Sequence, residues 1–462
     1  MFDTSIYIER RRVLKKRIQK GLILLLSNDE SPMNYLSNPF HYRQDSTFLY
    51  YIGLDEPNVY VIIDLDEDKE IVFGDELSID DIIWMGPQPG LTEKANRVGI
   101  NEVLPLSKLE SYLSNGIKQK QKIHFLPPYR AEHSVKLSEW LQIQLTQVKT
   151  NVSLDLIKAV ISQRSIKSEE ELNEIENAHS VTYEMHTTAM KMAKAGVLER
   201  EIAGTIEGIA LAKGASVSFP IILSVRGEIL HNHSHANRMK DGDLLINDSG
   251  AESARHYAAD ITRTIPVSGK FSERQKMIYN IVLSSQLAAI EAIKPGIKYL
   301  DIHKQTALII ANGLKEMGLM KGDMSEAIEQ GAHALFFPHG LGHMLGLDVH
   351  DMENLGEDLV GYDETIERSD QFGLAYLRLA KELKEGYVLT VEPGIYFIPQ
   401  LIDLWKNENK FSSFIDYQKV ETYRDFGGIR IEDDVAVTVA GSRVIGKTIP
   451  KTIDDVEAMC NQ

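Results

Sequence analysis

The sequence contains almost no cysteine and no long apolar segment. Cys460 is the one cysteine among 462 residues, which excludes a disulfide framework and a thiolate metal site. The apolar segment Gly21–Leu26 is too short for the core of a signal peptide or for a membrane span. These absences predict a cytoplasmic protein without a membrane partner.

Positive charge is also scarce relative to negative charge. The formal net charge of -17 argues against nucleic acid as the main partner. An apolar content of 43% and a charged content of 25% are typical of a soluble globular protein. Because 462 residues are too many for one ordinary core, two domains are expected.

Strands alternate with helices in the first part of the chain. The apolar and turn patterns predict strands at 21–26, 48–53, 59–64, 70–73 and 122–126, and helices at 6–19, 106–113 and 136–145. This alternation indicates an α/β domain over residues 1–163.

The pattern changes just before Ser165, where a second domain, residues 164–462, is expected to begin. Ser168 with Glu171 forms a capping signal for a long helix that reaches to about residue 195. Further strands are predicted at 221–225, 244–249, 261–267, 388–392 and 429–439, with helices at 199–213, 272–293 and 299–317.

The segment Phe336–Asp351 carries three histidines interleaved with glycines: His339, His343 and His350. The glycines make a regular helix doubtful and favour a loop or strand with a close backbone approach. Histidines presented in this way suggest metal binding or acid–base chemistry. A buried turn in which the histidines only form hydrogen bonds is the alternative.

Two aspartates lie where apolar strands end or begin. Asp248 ends one strand, and Asp260 opens the next. If the two strands are neighbours, the carboxylates lie side by side and repel each other, so one is driven neutral unless a cation is bound. Alternatively, each aspartate is an ordinary residue at a strand end.

Two glutamates occupy comparable positions further along the chain. A strand delivers Glu392 just before a Pro-Gly break, and another strand places Arg430 and Glu432 on one face. A structural ion pair between Arg430 and Glu432 is the simpler alternative. Taken together, four carboxylates and His343 suit Mn²⁺, Co²⁺ or Fe²⁺, and also Zn²⁺, better than Cu⁺, and favour two ions rather than one.

These segments, at residues 248–266, 339–350, 391–395 and 427–433, resemble the metallopeptidase family of aminopeptidase P, prolidase and methionine aminopeptidase. The N-terminal domain resembles the creatinase-type domain of the first two, in residues 41–46, 51–53 and 56–57. The resemblance implies an α/β creatinase-type domain followed by an α+β catalytic domain with the "pita-bread" fold. It also implies that the Asp248–Asp260 hairpin is one residue longer than the family usually has, and the extra residue is expected in its loop.

The resemblance assigns roles to individual residues. It implies that Asp260 and Glu432 bridge two metal ions, with Mn²⁺ as the expected metal, and that Asp248 binds one ion and His343 the other. Glu392 would bind metal and also accept the proton of the attacking water. Catalytic or substrate roles carry over to His231, His339, His350 and Arg430, with Arg430 orienting Glu432.

The same resemblance implies hydrolysis of Xaa-Pro bonds by an exopeptidase. Arg378 matches an arginine that in prolidases binds the dipeptide carboxylate, for which a guanidinium is well built. Together with an insertion at 397–425, it favours the dipeptidase slightly over an aminopeptidase P acting on longer peptides. The alternative for Arg378 is a solvated arginine on a helix over 372–383.

Three further expectations complete the interpretation. Proline-containing peptides are the expected partners, and a homodimer or homotetramer is expected because relatives pair through the N-terminal domain. A catalytically silent peptide-binding module is a remote alternative, which the complete ligand set opposes. Organophosphate hydrolysis, an activity of some prolidases, is not excluded as a side reaction.

Overall fold

The computed structural model describes residues 1–462 and divides into two compact units. The first unit comprises Met1–Arg164 with the short segment Asn354–Gly356, and the second comprises Ser165–Glu353 and Glu357–Gln462. None of the helices combines the length and the apolar character that a membrane crossing requires.

The first unit is built on a mixed five-stranded sheet. Its strand order is β4-β3-β2-β1-β5, with parallel pairing at both outer positions and antiparallel pairing between them. Its strands and helices are β1 Leu22–Leu26, β2 Tyr60–Asp64, β3 Lys69–Phe73, β4 Glu102–Leu104, β5 Ile123–His124, α1 Thr4–Arg17, α2 Ser46–Tyr51, α3 Ile79–Met85, α4 Leu91–Arg97, α5 Leu109–Lys118, α6 Ala131–Leu141 and α7 Leu154–Arg164.

The prediction of a strand at 48–53 is wrong, because this segment lies in helix α2. The Asp45 side chain accepts a hydrogen bond from the Phe48 backbone N–H and caps the helix. Nearly all residues of the helix are buried, so its apolar residues surround it on all sides and show no helical period. An apolar run of this length does not distinguish a buried helix from a strand.

The second unit combines long helices with three small antiparallel sheets. The sheets have the orders β6-β7-β8, β13-β12-β9 and β10-β11, and α8 packs against α9 while α10 packs against α11. Its strands and helices are β6 Ile222–Ser224, β7 Leu244–Ser249, β8 Ile261–Pro266, β9 Val388–Val391, β10 Gly394–Tyr396, β11 Gly428–Arg430, β12 Asp433–Val437, β13 Ser442–Val444, α8 Glu169–Met192, α9 Glu199–Ala212, α10 Glu273–Ala292, α11 Tyr299–Glu316, α12 Met324–Gln330, α13 Glu357–Gly361, α14 Pro399–Asn407, α15 Tyr417–Val420 and α16 Ile453–Cys460.

Two local predictions for this unit have clear outcomes. The capping signal is confirmed, because the Ser168 hydroxyl accepts the Glu171 N–H while the Glu171 carboxylate accepts the Ser168 N–H. The single strand predicted at 429–439 is wrong. The chain leaves one sheet after Arg430 and enters another at Asp433, and Glu432 lies in the step between them.

Candidate active site

A cavity of about 580 Å³ in the second unit is lined by every site residue that the sequence suggested. These residues come from four separate stretches of the chain, so the fold brings them together from distant positions. They are His231, Asp248, Asp260, His339, His343, His350, Arg378, Glu392, Arg430 and Glu432.

The β7–β8 hairpin places the two aspartates at one end of its ladder. Asp248 is paired with Thr262, and Asp260 immediately precedes β8. Both aspartates are buried, with exposures of 7% and 6%. The ladder pairs Ser249 with Ile261 without interruption, so the expected additional residue stays a prediction for the loop between them.

The histidine–glycine segment runs against β9 without forming a helix. The Thr390 N–H donates to the carbonyl of His343, and the His343 N–H donates to the Thr390 hydroxyl. A Cβ at Gly342 would lie 2.0 Å from the Thr390 carbonyl oxygen, so only glycine allows this approach. The expected loop or strand with close backbone contact is confirmed.

His343 lies between the carboxylates. Its Nδ1–H donates to the Met344 carbonyl at 3.0 Å, which leaves Nε2 as the bare nitrogen. Nε2 lies 3.4 Å from Asp260 Oδ2 and 3.8 Å from Glu392 Oε1. Ligand atoms of Asp260, His343 and Glu432 all lie within 4.8 Å of one another.

The electrostatics of this cluster favour a bound cation. Burial, followed by the neighbouring Asp248, raises the pKa of Asp260 to about 8. Burial also raises the pKa of Glu392 to about 7, and burial together with Asp260 and Glu392 raises the pKa of Glu432 well above its ordinary value. Several carboxyls that resist ionisation in one place are stabilised by bound positive charge.

An unsatisfied oxygen supports the same conclusion. Asp260 Oδ1 is buried and has no hydrogen-bond partner. Buried polar atoms without a partner are rare and call for an explanation such as a bound ion. The donor set of oxygen atoms and one imidazole nitrogen therefore fits hard divalent metals.

The alternative of a structural ion pair between Arg430 and Glu432 is wrong, because no direct contact joins the two side chains, and the orienting role of Arg430 stays a prediction. Its guanidinium donates to the Asp248 carboxylate through Nη2 and to the Thr262 hydroxyl through Nε at 3.0 Å. The Thr262 hydroxyl in turn donates to Glu432 Oε2 at 2.6 Å. Arg430 thus reaches Glu432 only through Thr262, because the chain changes sheet between the two residues.

Tyr396 connects His339 with Arg430. Its hydroxyl donates to His339 Nε2 at 2.9 Å and accepts from Arg430 Nη1 at 2.9 Å, while His339 Nδ1–H donates to the Gly340 carbonyl at 2.8 Å. Burial lowers the pKa of His339 to about 3, so its ring is neutral. Both ring nitrogens are therefore engaged with protein groups.

His350 and Arg378 share a carboxylate partner beside the cavity. His350 Nδ1 lies 2.5 Å from Glu353 Oε2, and its ring packs edge-on against His343. Arg378 Nε lies 3.2 Å from the same Glu353 oxygen and 3.6 Å from Glu357 Oε1. The alternative of a helix over 372–383 is wrong, because only a short 3₁₀ turn, Leu374–Tyr376, forms there.

His231 lines the cavity and is exposed to it, and burial of its ring lowers its pKa. His233 also lines the cavity, as expected of a residue at the mouth. His235 and His256 instead bond the Leu223 carbonyl and the Glu252 carboxylate.

Three residues of the site were missed from the sequence, namely Thr262, Glu353 and Tyr396. Thr262 had a usable signal, because it lies two residues after Asp260 and strand residues two apart share a face. Tyr396 had a weaker signal in Gly394, where a Cβ would lie 2.4 Å from the Tyr396 hydroxyl, so glycine lets the ring fold back. Glu353 had none.

Comparison with known proteins gives the family. A model of metallopeptidase family M24 matches residues 173–439, and a model of the aminopeptidase P N-terminal domain matches residues 7–124. The chain is 32% identical over 455 residues to the Xaa-Pro dipeptidase of Homo sapiens, covering 96% of this chain and 89% of the relative. It is 30% identical over 461 residues to the Xaa-Pro aminopeptidase of Escherichia coli (strain K12), covering 97% and 96%.

The structural comparison agrees. A solved structure of a single-residue variant of Escherichia coli aminopeptidase P in complex with substrate matches with a TM-score of 0.82 and 29% identity, covering 100% of this chain and 98% of that chain. The expected fold, an α/β domain of the creatinase type followed by an α+β pita-bread domain, is confirmed. With a matching family model over more than half of its length, this chain belongs to metallopeptidase family M24.

Proposed function

We propose that this metallopeptidase hydrolyses the peptide bond before proline at the N-terminus of dipeptides and short peptides. The observation that carries the proposal is one cavity lined by a complete set of candidate metal ligands together with His231, His350 and Arg378. Relatives over almost the whole length of the chain are an Xaa-Pro dipeptidase and an Xaa-Pro aminopeptidase, which supports this substrate class.

The proposed cofactor is a pair of divalent ions, with Mn²⁺ as the native metal and Co²⁺, Fe²⁺ or Zn²⁺ as possible replacements. The donor chemistry, the unpartnered Asp260 Oδ1 and the raised carboxyl pKa values support this assignment. Two such ions, when bound, supply Lewis acidity and lower the pKa of an attacking water. The residues proposed to hold them are Asp248, Asp260, His343, Glu392 and Glu432.

Glu392 is the proposed proton acceptor for the attacking water. Its side chain is one-fifth exposed and lines the cavity, in contrast to the buried carboxylates of Asp260 and Glu432. In the metal-free cluster, burial raises the pKa of Glu392 to about 7, so this carboxyl readily accepts a proton.

The histidines take different parts in this proposal. Because ionised Glu353 accepts a hydrogen bond from His350 Nδ1, Nε2 of His350 is the nitrogen available to a substrate. His231 faces the cavity and is proposed to contact the substrate carbonyl with His350. His339 is proposed to act through Tyr396 on Arg430, whose guanidinium holds the Asp248 carboxylate.

Arg378 is proposed to bind the carboxylate of a dipeptide substrate, which would make the enzyme a prolidase. Its Nε is held by Glu353, while Nη1 and Nη2 have no protein partner. A guanidinium with two free nitrogens can accept a carboxylate in a forked contact. The preference for dipeptides, the homodimer or homotetramer and the cytoplasmic location stay predictions.

A length series tests the proposal. Xaa-Pro, Xaa-Pro-Yaa and a longer Xaa-Pro peptide are incubated with the protein and Mn²⁺, and in parallel with chelator; Xaa-Ala peptides of equal length serve as substrate controls. We expect metal-dependent cleavage before proline only. Cleavage of the dipeptide alone identifies a prolidase, and cleavage of the longer peptides identifies an aminopeptidase P.

Two variants make the assay specific. Glu392→Gln is expected to abolish turnover, whereas Glu408→Gln changes an exposed glutamate outside the cavity and should retain it. A protein that binds metal but cleaves none of the peptides would contradict the proposal and favour a silent peptide-binding module.

A further inference from the structure

Glu353 is a carboxylate of the chain itself in a charged corner beside the cavity, where it contacts two residues of the cavity lining. It follows Met352, which has a left-handed backbone with a φ of 64°, an unusual conformation for a residue with a side chain. Its Oε2 contacts both His350 Nδ1, at 2.5 Å, and Arg378 Nε, at 3.2 Å. The guanidinium proposed to bind a substrate carboxylate therefore already has a carboxylate partner.

This partner is charged at neutral pH. The hydrogen bond from His350, followed by electrostatic attraction to His350 and Arg378, lowers the pKa of Glu353 to about 2. An ionised carboxylate only accepts hydrogen bonds, so it cannot donate to a second carboxylate that approaches Arg378.

The surroundings of Arg378 are acidic in sum. Glu357 lies 3.6 Å from Arg378 and 2.8 Å from Arg368, and Arg368 also pairs with Asp358 at 2.6 Å. With Glu353, this corner holds three carboxylates and two guanidiniums. The net formal charge of this corner is therefore one negative unit, which disfavours the binding of a further negative charge.

We propose that Glu353 is a specificity-determining residue that disfavours free Xaa-Pro dipeptides relative to peptides without a carboxylate at that position. The inference rests on the proposed function, because it concerns how the same cavity accepts its substrates. A dipeptide carboxylate bound at Arg378 lies close to Glu353 and is repelled by it. A peptide that continues beyond proline has a neutral peptide bond there and pays no such penalty. Arg378 thus favours the dipeptide, Glu353 opposes it, and their balance sets the length preference.

A purely supporting function of Glu353 makes the opposite prediction. If Glu353 only holds Arg378 in place for the substrate carboxylate, its removal weakens dipeptide binding. The two possibilities therefore differ in the sign of one measurable ratio.

The test compares an Xaa-Pro dipeptide with its C-terminal amide, which has the same length but no carboxylate. The ratio of their kcat/KM values is measured for the wild type and for Glu353→Gln with Mn²⁺ bound. Any effect on His350 changes both substrates and cancels in the ratio. We expect the ratio to rise about tenfold, mainly through a lower KM for the dipeptide, because one nearby like charge is removed.

Asp358→Asn is the matched control. It removes one negative charge from the same corner, but Asp358 is 72% exposed and contacts Arg368 rather than Arg378. Its ratio should stay within about twofold of the wild type, since exposed charges are strongly screened. Glu357→Gln is a second test variant and should raise the ratio less than Glu353→Gln does, because its distance to Arg378 is longer.

The outcomes separate the inference from the proposed function. If both substrates are cleaved but the ratio is unchanged or falls in Glu353→Gln and Glu357→Gln, the role of Glu353 is refuted and the peptidase stands. If the wild type cleaves neither substrate, the proposed function fails and the inference fails with it.

Discussion

Replacing Asp260 with asparagine should stabilise the metal-free protein while it removes metal binding. In the absence of a cation, burial and the nearby Asp248 raise the pKa of Asp260 from 3.8 to about 8. The unfolded chain releases this proton at low pH, whereas the folded protein must retain it or bury a charge. Asparagine has nearly the same shape and no charge, so this penalty disappears.

The sign and size follow from proton linkage. An acid whose pKa is raised by folding does not lower the free energy of unfolding at pH values below its pKa in the unfolded chain. As the pH rises from that value towards the pKa in the folded protein, the acid lowers the free energy of unfolding progressively. At pH 7, about three units above 3.8, the cost reaches roughly 4 kcal/mol. Little is lost in exchange, because Asp260 Oδ1 has no hydrogen-bond partner and an asparagine amide can donate to the bare His343 Nε2.

The assay is urea or thermal unfolding in the presence of chelator at pH values from 4.5 to 8. Asp260→Asn should be more stable than the wild type at pH 7, with a difference that shrinks towards pH 4.5. Asp370→Asn, which changes an exposed aspartate, should show no such trend. A variant that is equally or less stable at pH 7, or a difference that does not depend on pH, would refute the reasoning.

Three further predictions concern the same site. Chelation should abolish hydrolysis and Mn²⁺ should restore it, and a metal concentration of 100 times Kd should stabilise the protein by about 2.7 kcal/mol in thermal unfolding. Tyr396→Phe should lower kcat more than it changes KM, and it should lower the free energy of unfolding by about 1–3 kcal/mol in denaturant titrations. The reason is that His339 and Arg430 each lose a buried hydrogen bond. Unchanged kinetics would contradict this prediction. Gly342→Ala should destabilise the protein by about 2 kcal/mol or more, since its Cβ would lie 2.0 Å from the Thr390 carbonyl oxygen. An unfolding midpoint equal to that of the wild type would show that the two backbone segments can move apart without cost.

The metal-ligand candidates could be found from the sequence because of where they lie in the pattern. Asp248, Asp260 and Glu392 each stand at the end of a buried apolar strand, a position in which a charge is unexpected without a function. His343 was marked by neighbouring glycines, and the contact between Gly342 and β9 explains them. Local pattern was sufficient in these cases because strand ends and glycine contacts leave local signals.

Other features depend on contacts between distant residues and left no such signal. No glycine or proline marks the change of sheet between Arg430 and Glu432, so one strand was predicted where two exist. The strand period places Thr262 on the same face as Asp260, but it does not show that the Thr262 hydroxyl joins Arg430 to Glu432. Glu353 looked like one acid among many, since its contact with Arg378 spans 25 residues of sequence.

The hairpin between Asp248 and Asp260 limits where the chain can change length. The ladder from Leu244 to Ser249 fixes the register, and inserting one residue within it would turn a carboxylate to the opposite face. The loop that follows contains one isolated pair, Glu252 with Ala258, and a left-handed residue at its tip. Ala254 and Arg255 are the exposed residues of this loop, so an additional residue is accommodated best between them, outside the ladder that holds the aspartates. Insertions and deletions can therefore accumulate in this loop during evolution while the distance between the two carboxylates stays constant.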